Sequence, residues 1–400
     1  MDYREYNISA LADFFAAGCK NKKLLGLELE HFVVDKQTSR SLPYDDGVEE
    51  ILKRLQPVYG RPVLSQGRII GIEREGAHIT LEPAAQFEIS IGPFQKIAEI
   101  AQVYSGFTAK LAPILDDMGC ELVNVGYHPK SRIDELPLIP KERYKYMEAH
   151  FKTTGTKGKN MMKGSAASHV SLDYENEADF KRKFRVANIL GPLLSFICDN
   201  TPVFEGEPFA GRMARTHIWN DVDPARSMVV RDALDSDFGF REYAKYIYDL
   251  PPVLLIEGDK TTFTGTRLVS EIFADRKMTN EDMTHVSSMA FPDVRLKSHV
   301  EIRMADSMPI GQALAYVALL KGIFYDSTNL DRLYEMTIDV KNSHVTEAKA
   351  ALMKHGQEAQ VYGRRAMDWI TELFHMAENS LSPDEKEYLM PLKEIKEKKI

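Results

Sequence analysis

Cysteine is scarce in this 400-residue chain: Cys19, Cys120 and Cys198 are its only three, odd in number and far apart. No CxxC pair occurs, which argues against a zinc ribbon or a disulfide framework and fits a reducing compartment. Long apolar runs are missing too. No stretch of about 18 uncharged apolar residues exists, so no membrane span is expected. The start, Met1-Asp-Tyr-Arg-Glu-Tyr6, is charged, and the apolar stretch Leu11 to Ala17 is short and broken by Asp13. No secretory leader is therefore expected, and the protein reads as cytoplasmic. Positive charge is in deficit, with 51 Lys and Arg against 59 Asp and Glu for a net charge of -8. A nucleic-acid binder needs a basic footprint to displace counterions, so that class is disfavoured. Both common nucleotide motifs are absent: GxxxxGK followed by Ser or Thr, and GxGxxG. The loop Gly155-Thr-Lys-Gly-Lys159 lacks the phosphate-loop spacing and reads as a solvated, mobile loop.

What the chain has instead is carboxylate, and the question is where it sits. Side chains alternate faces along a strand, so even spacing puts residues on one side. In Leu25-Gly-Leu-Glu-Leu-Glu30, the three leucines share one face while Glu28 and Glu30 share the other. In the stretch 79–91, Ile79 and Leu81 oppose Thr80 and Glu82; after Pro83-Ala-Ala85, Phe87, Ile89 and Ile91 oppose Gln86, Glu88 and Ser90. Val170 and Leu172 oppose His169, Ser171 and Asp173. Read as one strand, 294–304 carries Arg295, Lys297, His299, Glu301 and Arg303 on one face and Val294, Leu296, Val300, Ile302 and Met304 on the other. An antiparallel sheet with one wet face normally mixes Thr, Ser, Lys and Gln there. Here the polar face is dense in carboxylate, and carboxylates gathered on one sheet repel unless cations lie between them.

That pattern points to hard divalent cations, which take oxygen ligands and share them with substrate phosphates. Glu28, Glu30, Glu82, Glu88 and Glu301 are the candidate ligands, and His169 adds a nitrogen that Mn²⁺ would accept. Arg303, Lys297 and Arg295 offer positive charge for a phosphate. Metal bridging phosphate oxygens beside an Arg makes up a phosphoryl-transfer site. Helical periodicity falls at about 94–118, 177–199, 308–325, 345–355 and 362–378, and Asp384 to Ile400 reads as a solvated helix with a frayed end.

Assembled in order, these segments resemble the glutamate–cysteine ligase family, particularly its plant-type branch. The resemblance runs through Gly26-Leu-Glu-Leu-Glu30, the stretch from Ile79 to Ser90, Pro140-Lys-Glu-Arg-Tyr144, Lys181-Arg-Lys-Phe-Arg185 and Asn200-Thr-Pro-Val-Phe-Glu-Gly206. It continues in Arg215-Thr-His-Ile-Trp219 with Asp221, Asp223 and Arg226, and in the stretch from Phe291 to Arg303, spanning about residues 20–325. The resemblance implies an α+β fold: a curved, mainly antiparallel sheet forming a funnel, flanked by helices and related to the glutamine synthetase core. It implies one catalytic domain over 1–400, with a helical C-terminal part from 326 packing on or extending from the core. It also implies ATP-dependent joining of glutamate to cysteine through a γ-glutamyl phosphate, the first step of glutathione synthesis. By family position the five glutamates are metal ligands around ATP, with Mg²⁺ expected and Mn²⁺ as an alternative. His169 sits at a metal- or phosphate-contacting place, and Arg303 and Lys297 are catalytic cations. Arg215, Trp219, Arg143 and Tyr144 are substrate contacts, with Arg215 on the glutamate α-carboxylate. The expected partners are the small molecules glutamate, cysteine and ATP, with no nucleic acid and no membrane, and the chain is a monomer or homodimer. Two departures stand out: Ala84-Ala85 replaces the plant Gly-Gly, and His169 replaces a Gln. A related ligase using another amine, and a non-catalytic ATP-binding relative, are the competing readings.

Overall fold

The structure, a computed structural model, describes residues 2–258 and 260–398. The alternating segments become a nine-stranded, open sheet in which every neighbouring pair is antiparallel. Its strands are β1 (Leu25–Asp35), β2 (Arg61–Ser65), β3 (Arg68–Arg74), β4 (Ala77–Leu81), β5 (Phe87–Phe94), β6 (Cys120–Val123), β7 (Ala167–Leu172), β8 (Val294–Leu296) and β9 (Val300–Asp306). The spatial order is β8-β9-β7-β1-β5-β4-β3-β2, with β6 paired to the far end of β1.

The leucine face of β1 is fully buried, as are Ile79, Phe87, Ile89, Val170, Leu172, Val300 and Ile302 on its neighbours. Helices cover that face: α1 (Ile97–Asp117) lies on β5, and the later α3 (Glu177–Ile197) on β9. Between them in sequence, α2 (Glu142–Phe151) stands on the opposite side of the sheet, over the polar face. The helix α3 starts where Asn176 accepts the Asp179 N–H at 3.0 Å, with Glu177 and Asp179 in its first turn, both suited to the positive end of the helix dipole. A short α4 (Ala214–Trp219) also reaches the polar face, and α5 (Ile310–Phe324) packs behind β1 and β7. The C-terminal helices α6 (Asn342–His355), α7 (Ala366–Ser380) and α8 (Met390–Lys398) follow, α7 and α8 against α5 and α6 against α3.

Several expectations are corrected. The segment 294–304 is a hairpin, not one strand: Lys297, Ser298 and His299 form its turn, closed by Lys297 N–H donating to the His299 carbonyl at 2.9 Å. Arg295 then faces Glu301 across the pair, so the charged face survives the fold-back, although His299 lies in the turn. Glu82 lies just past β4, in a turn that Ala85 closes with φ +66°. The loop 155–159 is anchored, with Thr156 N–H donating to Asp221 at 3.2 Å and Lys157 N–H to the Asp221 carbonyl at 2.9 Å. A Cβ at Gly155 would stand 2.4 Å from that carbonyl, so only glycine allows the approach. The C-terminal stretch is not simply solvated. Leu389 and Leu392 are buried, and Glu385 pairs with Lys321 of α5 at 2.7 Å. Residues 399 and 400 of that stretch lie outside the described residues. Among the described residues no helix is long and apolar enough to cross a membrane.

Candidate active site

The polar face of the sheet forms the floor of a cavity of about 320 Å³. Strand order arranges its charges. At one edge stand Arg295, Glu301 and Arg303 of the β8-β9 hairpin; then come His169 on β7, Glu28 and Glu30 on β1, Glu88 on β5, and Thr80 with Glu82 at β4. The opposite wall comes from α2 with Lys141 just before it, from α4 and from Phe291 and Ser288. Every expected site residue lines this cavity except Glu301, which is fully buried beneath it.

Glu301 is the clearest departure from expectation. Its two oxygens are taken by three cations: Arg295 at 2.6 Å, Lys297 at 2.6 Å and Arg303 at 3.0 Å. Burial alone would raise its pKa, but these three charges hold it well below the ordinary carboxylate range. A carboxylate so enclosed is a counterion to the cationic edge in this metal-free arrangement. Arg295 donates in addition to the Ala290 carbonyl at 3.2 Å.

The centre is mixed. Glu28 sits opposite His169 in register, and its Oε2 lies 3.1 Å from the ring Nδ1. Burial and the Glu301 charge push Glu28 up, yet His169 and Lys297 outweigh them and hold it at about 2. Burial and the Arg303 charge pull His169 down to about 4, so the ring is neutral near pH 7. A neutral ring donating from Nδ1 to Glu28 leaves the lone pair on Nε2.

At the far edge Glu30, Glu82 and Glu88 form no ion pair among the described residues. Glu30 and Glu88 are direct cross-strand partners, an arrangement that costs energy for like charges. Burial and then the Glu82 charge raise Glu30 to about 8, despite Arg215 and the Ala167 N–H, which donates to it at 2.8 Å. Burial, followed by the charges of Glu28, Glu82 and Glu30, raises Glu88 well above its usual value. The Thr80 hydroxyl donates to it at 2.7 Å and the Ser90 hydroxyl at 3.3 Å. The Glu82 charge thus helps raise both Glu30 and Glu88, a repulsion that an added cation would relieve. Among the described residues no three His, Cys, Asp or Glu side chains converge into a ready-made metal nest. A hard cation held here would need oxygens beyond those of the protein, such as those of a phosphate.

The remaining candidates are partly engaged. Arg215 is buried, donates from Nη1 to the carbonyls of Met304 at 3.2 Å and Ala305 at 3.0 Å, and lies 3.8 Å from Asp306. Among the described residues its Nε has no hydrogen-bond partner. Trp219 faces Phe291 with ring centroids 6.5 Å apart. Tyr144 donates to the Leu81 carbonyl at 3.0 Å, tying α2 to the turn that carries Glu82. Arg143 reaches the Ser288 carbonyl at 3.4 Å. Behind this wall His150, Asp223 and Arg226 form a buried network: Asp223 Oδ2 lies 2.8 Å from His150 and 2.7 Å from Arg226. Sequence reasoning did not single out Lys141, Gln86, Met161, Met162 or Ser288 as site residues. Lys141 left a signal as the neighbour of Arg143 and Tyr144, and Gln86 through its common parity with Glu88; Met161, Met162 and Ser288 meet the cavity through tertiary contacts that no local pattern encodes.

With this geometry described, the comparisons decide the family. The profile of Glutamate-cysteine ligase family 2 (GCS2) matches residues 24–398. The chain belongs to the glutamate–cysteine ligase family. A chloroplastic glutamate–cysteine ligase of Arabidopsis thaliana is 30% identical over 340 residues, covering 82% of this chain and 65% of the relative. That of Nicotiana tabacum is 28% identical over 412 residues, covering 94% and 78%. The chain thus spans just under two thirds of the length of the Arabidopsis ligase. Among solved structures, the glutamate–cysteine ligase of Francisella tularensis in complex with AMP is similar with a TM-score of 0.54 at 12% identity, covering 95% of this chain and 82% of that one. At that identity the likeness shows a shared fold. The plant ligases that match are chloroplastic by name, which overturns the expectation of a cytoplasmic protein.

Proposed function

We propose that this member of the glutamate–cysteine ligase family makes γ-glutamylcysteine at the cavity, using ATP. The carrying observation is the sorting of charge along one sheet face: cations at the β8-β9 edge, carboxylates at the β4-β5 edge, within one cavity of about 320 Å³.

A carboxylate resists attack by an amine because its leaving group would be oxide. Phosphorylation removes that obstacle. A side-chain carboxylate oxygen of glutamate attacks the terminal phosphorus of ATP, the bond to the ADP oxygen breaks, and an acyl phosphate forms. The amine nitrogen of cysteine then attacks the acyl carbon, the carbon–oxygen bond to phosphate breaks, and the nitrogen loses a proton. Negative charge gathers on the transferred group throughout, so stabilisation by fixed cations is the main service the protein performs. Arg303 and Lys297 supply it, and Glu301 beneath them fixes their positions at 3.0 and 2.6 Å. Mg²⁺ bound with ATP would be held by Glu28, Glu30, Glu82 and Glu88 and would supply the positive charge those carboxylates lack. Arg215 and Trp219 border the place left for glutamate. The test is ADP release from Mg²⁺, ATP and glutamate with and without L-cysteine. Cysteine-dependent ADP is expected; its absence from folded protein rejects the reading.

A further inference from the structure

Of the cationic side chains lining the cavity, most are already engaged within the protein. Arg295, Lys297 and Arg303 converge on Glu301, and Arg215 spans two carbonyls beside Asp306. Lys141 and Arg143 differ. Among the described residues neither forms an ion pair, and the Arg143 Nε is buried with no partner. Arg143 at least reaches the Ser288 carbonyl at 3.4 Å; among the described residues the Lys141 ammonium makes no hydrogen bond or ion pair, and stands over the face of Tyr144, 5.0 Å from the ring centroid.

This placement is built into the fold. Ile139 N–H donates to the Pro83 carbonyl at 2.9 Å, and Tyr144 to the Leu81 carbonyl at 3.0 Å. Those two bonds pin the 139–144 segment to the turn bearing Glu82. Burial pulls the Lys141 pKa down, against the Glu82 charge that raises it. A desolvated ammonium with no carboxylate partner is costly, and such groups persist where a ligand supplies the missing charge.

The substrates narrow the choice of ligand. The transferred phosphate belongs with Arg303 and Lys297, which hang on the opposite edge of the sheet. Glutamate has one carboxylate at the phosphate and the other toward Arg215. The acceptor enters as a neutral amine, because only that form is nucleophilic. Its α-carboxylate is then the one anionic group still without a cation. We propose that Lys141 binds the carboxylate of the acceptor amino acid, making the cavity select an α-amino acid over a simple amine. The inference rests on the ligase reading above and names a specificity residue within it.

The test compares L-cysteine with cysteamine, the same thiol and amine without the carboxylate, in the wild type and in Lys141→Met and Lys141→Arg. Wild type should prefer L-cysteine in kcat/KM. Lys141→Met should shrink that preference by about tenfold or more, because an unpaired carboxylate in a built site is rejected strongly. Lys141→Arg should restore part of it, and KM for glutamate and ATP should stay within about twofold. An unchanged preference in Lys141→Met overturns the inference, including the case where only Mg²⁺ dependence shifts and Lys141 acts merely as a counter-charge to Glu82 and Glu88. If the wild type releases no ADP with either acceptor, the ligase reading fails separately. Calorimetric Kd values for the two acceptors then judge Lys141 alone: a preference that Lys141→Met abolishes supports it, and one it leaves intact rejects it.

Discussion

Glu28 and Glu30 lie two residues apart on one face of one strand, yet their environments drive them in opposite directions. Glu28, beside His169 and within reach of Lys297, is held at about 2 despite burial; Glu30, buried beside Glu82, is raised to about 8. The strand is where the two edges of the site meet. Toward β9 every carboxylate is matched by cations, and toward β5 carboxylates face carboxylates. The same residue type therefore stabilises the fold at one edge and stores repulsion at the other. In the proposed ligase the first edge would supply fixed positive charge to a phosphate and the second would take up a cation.

The largest effect should come from breaking the matched edge. Glu301→Gln leaves Arg295, Lys297 and Arg303 without their buried counter-charge and should cost about 3–5 kcal/mol in urea unfolding. A loss below about 1 kcal/mol would mean the three cations relax into water and the edge is not a buried network. A second effect is read against pH without Mg²⁺. The ordinary glutamate value is 4.5; Glu30, raised to about 8, binds its proton more tightly in the folded state. Its penalty is absent below 4.5 and complete above 8, so stability should fall as pH rises across that window. Glu30→Gln should make that slope shallower. Glu28 has the opposite sign: the stability it confers is present above 4.5 and lost as pH falls through about 2, so Glu28→Gln should blunt the acid transition. An unaltered pH profile in both variants would erase the contrast between the two residues. The smallest effect concerns the Glu82 turn. Ala85 holds a left-handed φ of +66° while its methyl is buried. Ala85→Gly relieves strain but gives up buried apolar surface and adds unfolded-state freedom, so the net change should stay within about 1 kcal/mol. A loss above about 2 kcal/mol would show that the methyl, not the backbone, sets the turn.

How much of this was visible in the residues follows from which forces are local. Alternation along β1, β4, β5 and β7 exposed both the apolar and the charged face, because strand parity is a property of the chain alone. The hairpin at 297–299 escaped notice for the same reason: residues 295 and 301 keep common parity whether the chain runs straight or folds back. The pairing of Glu301 with Arg295, Lys297 and Arg303 could not be read from parity, which places a residue on a face without naming its neighbours. Lys141 was passed over because its isolation is defined by what does not touch it. The C-terminal helix looked solvated from its lysines and glutamates, whereas Leu389 and Leu392 are what anchor it. The Ala84-Ala85 departure from Gly-Gly was legible, and the structure shows alanine adopting the left-handed turn itself.

The proposed role of the β4-β5 edge is to take up Mg²⁺ together with ATP. It is tested most directly by calorimetric titration of Mg²⁺ with a non-hydrolysable ATP analogue into the wild type and Glu88→Gln, with the unfolding free energy of each taken without metal. Glu88→Gln should weaken binding by about tenfold or more. Its metal-free stability should be equal to or above that of the wild type, because one repelling charge is gone. Binding indistinguishable from the wild type, or a metal-free protein destabilised by several kcal/mol, would contradict the account.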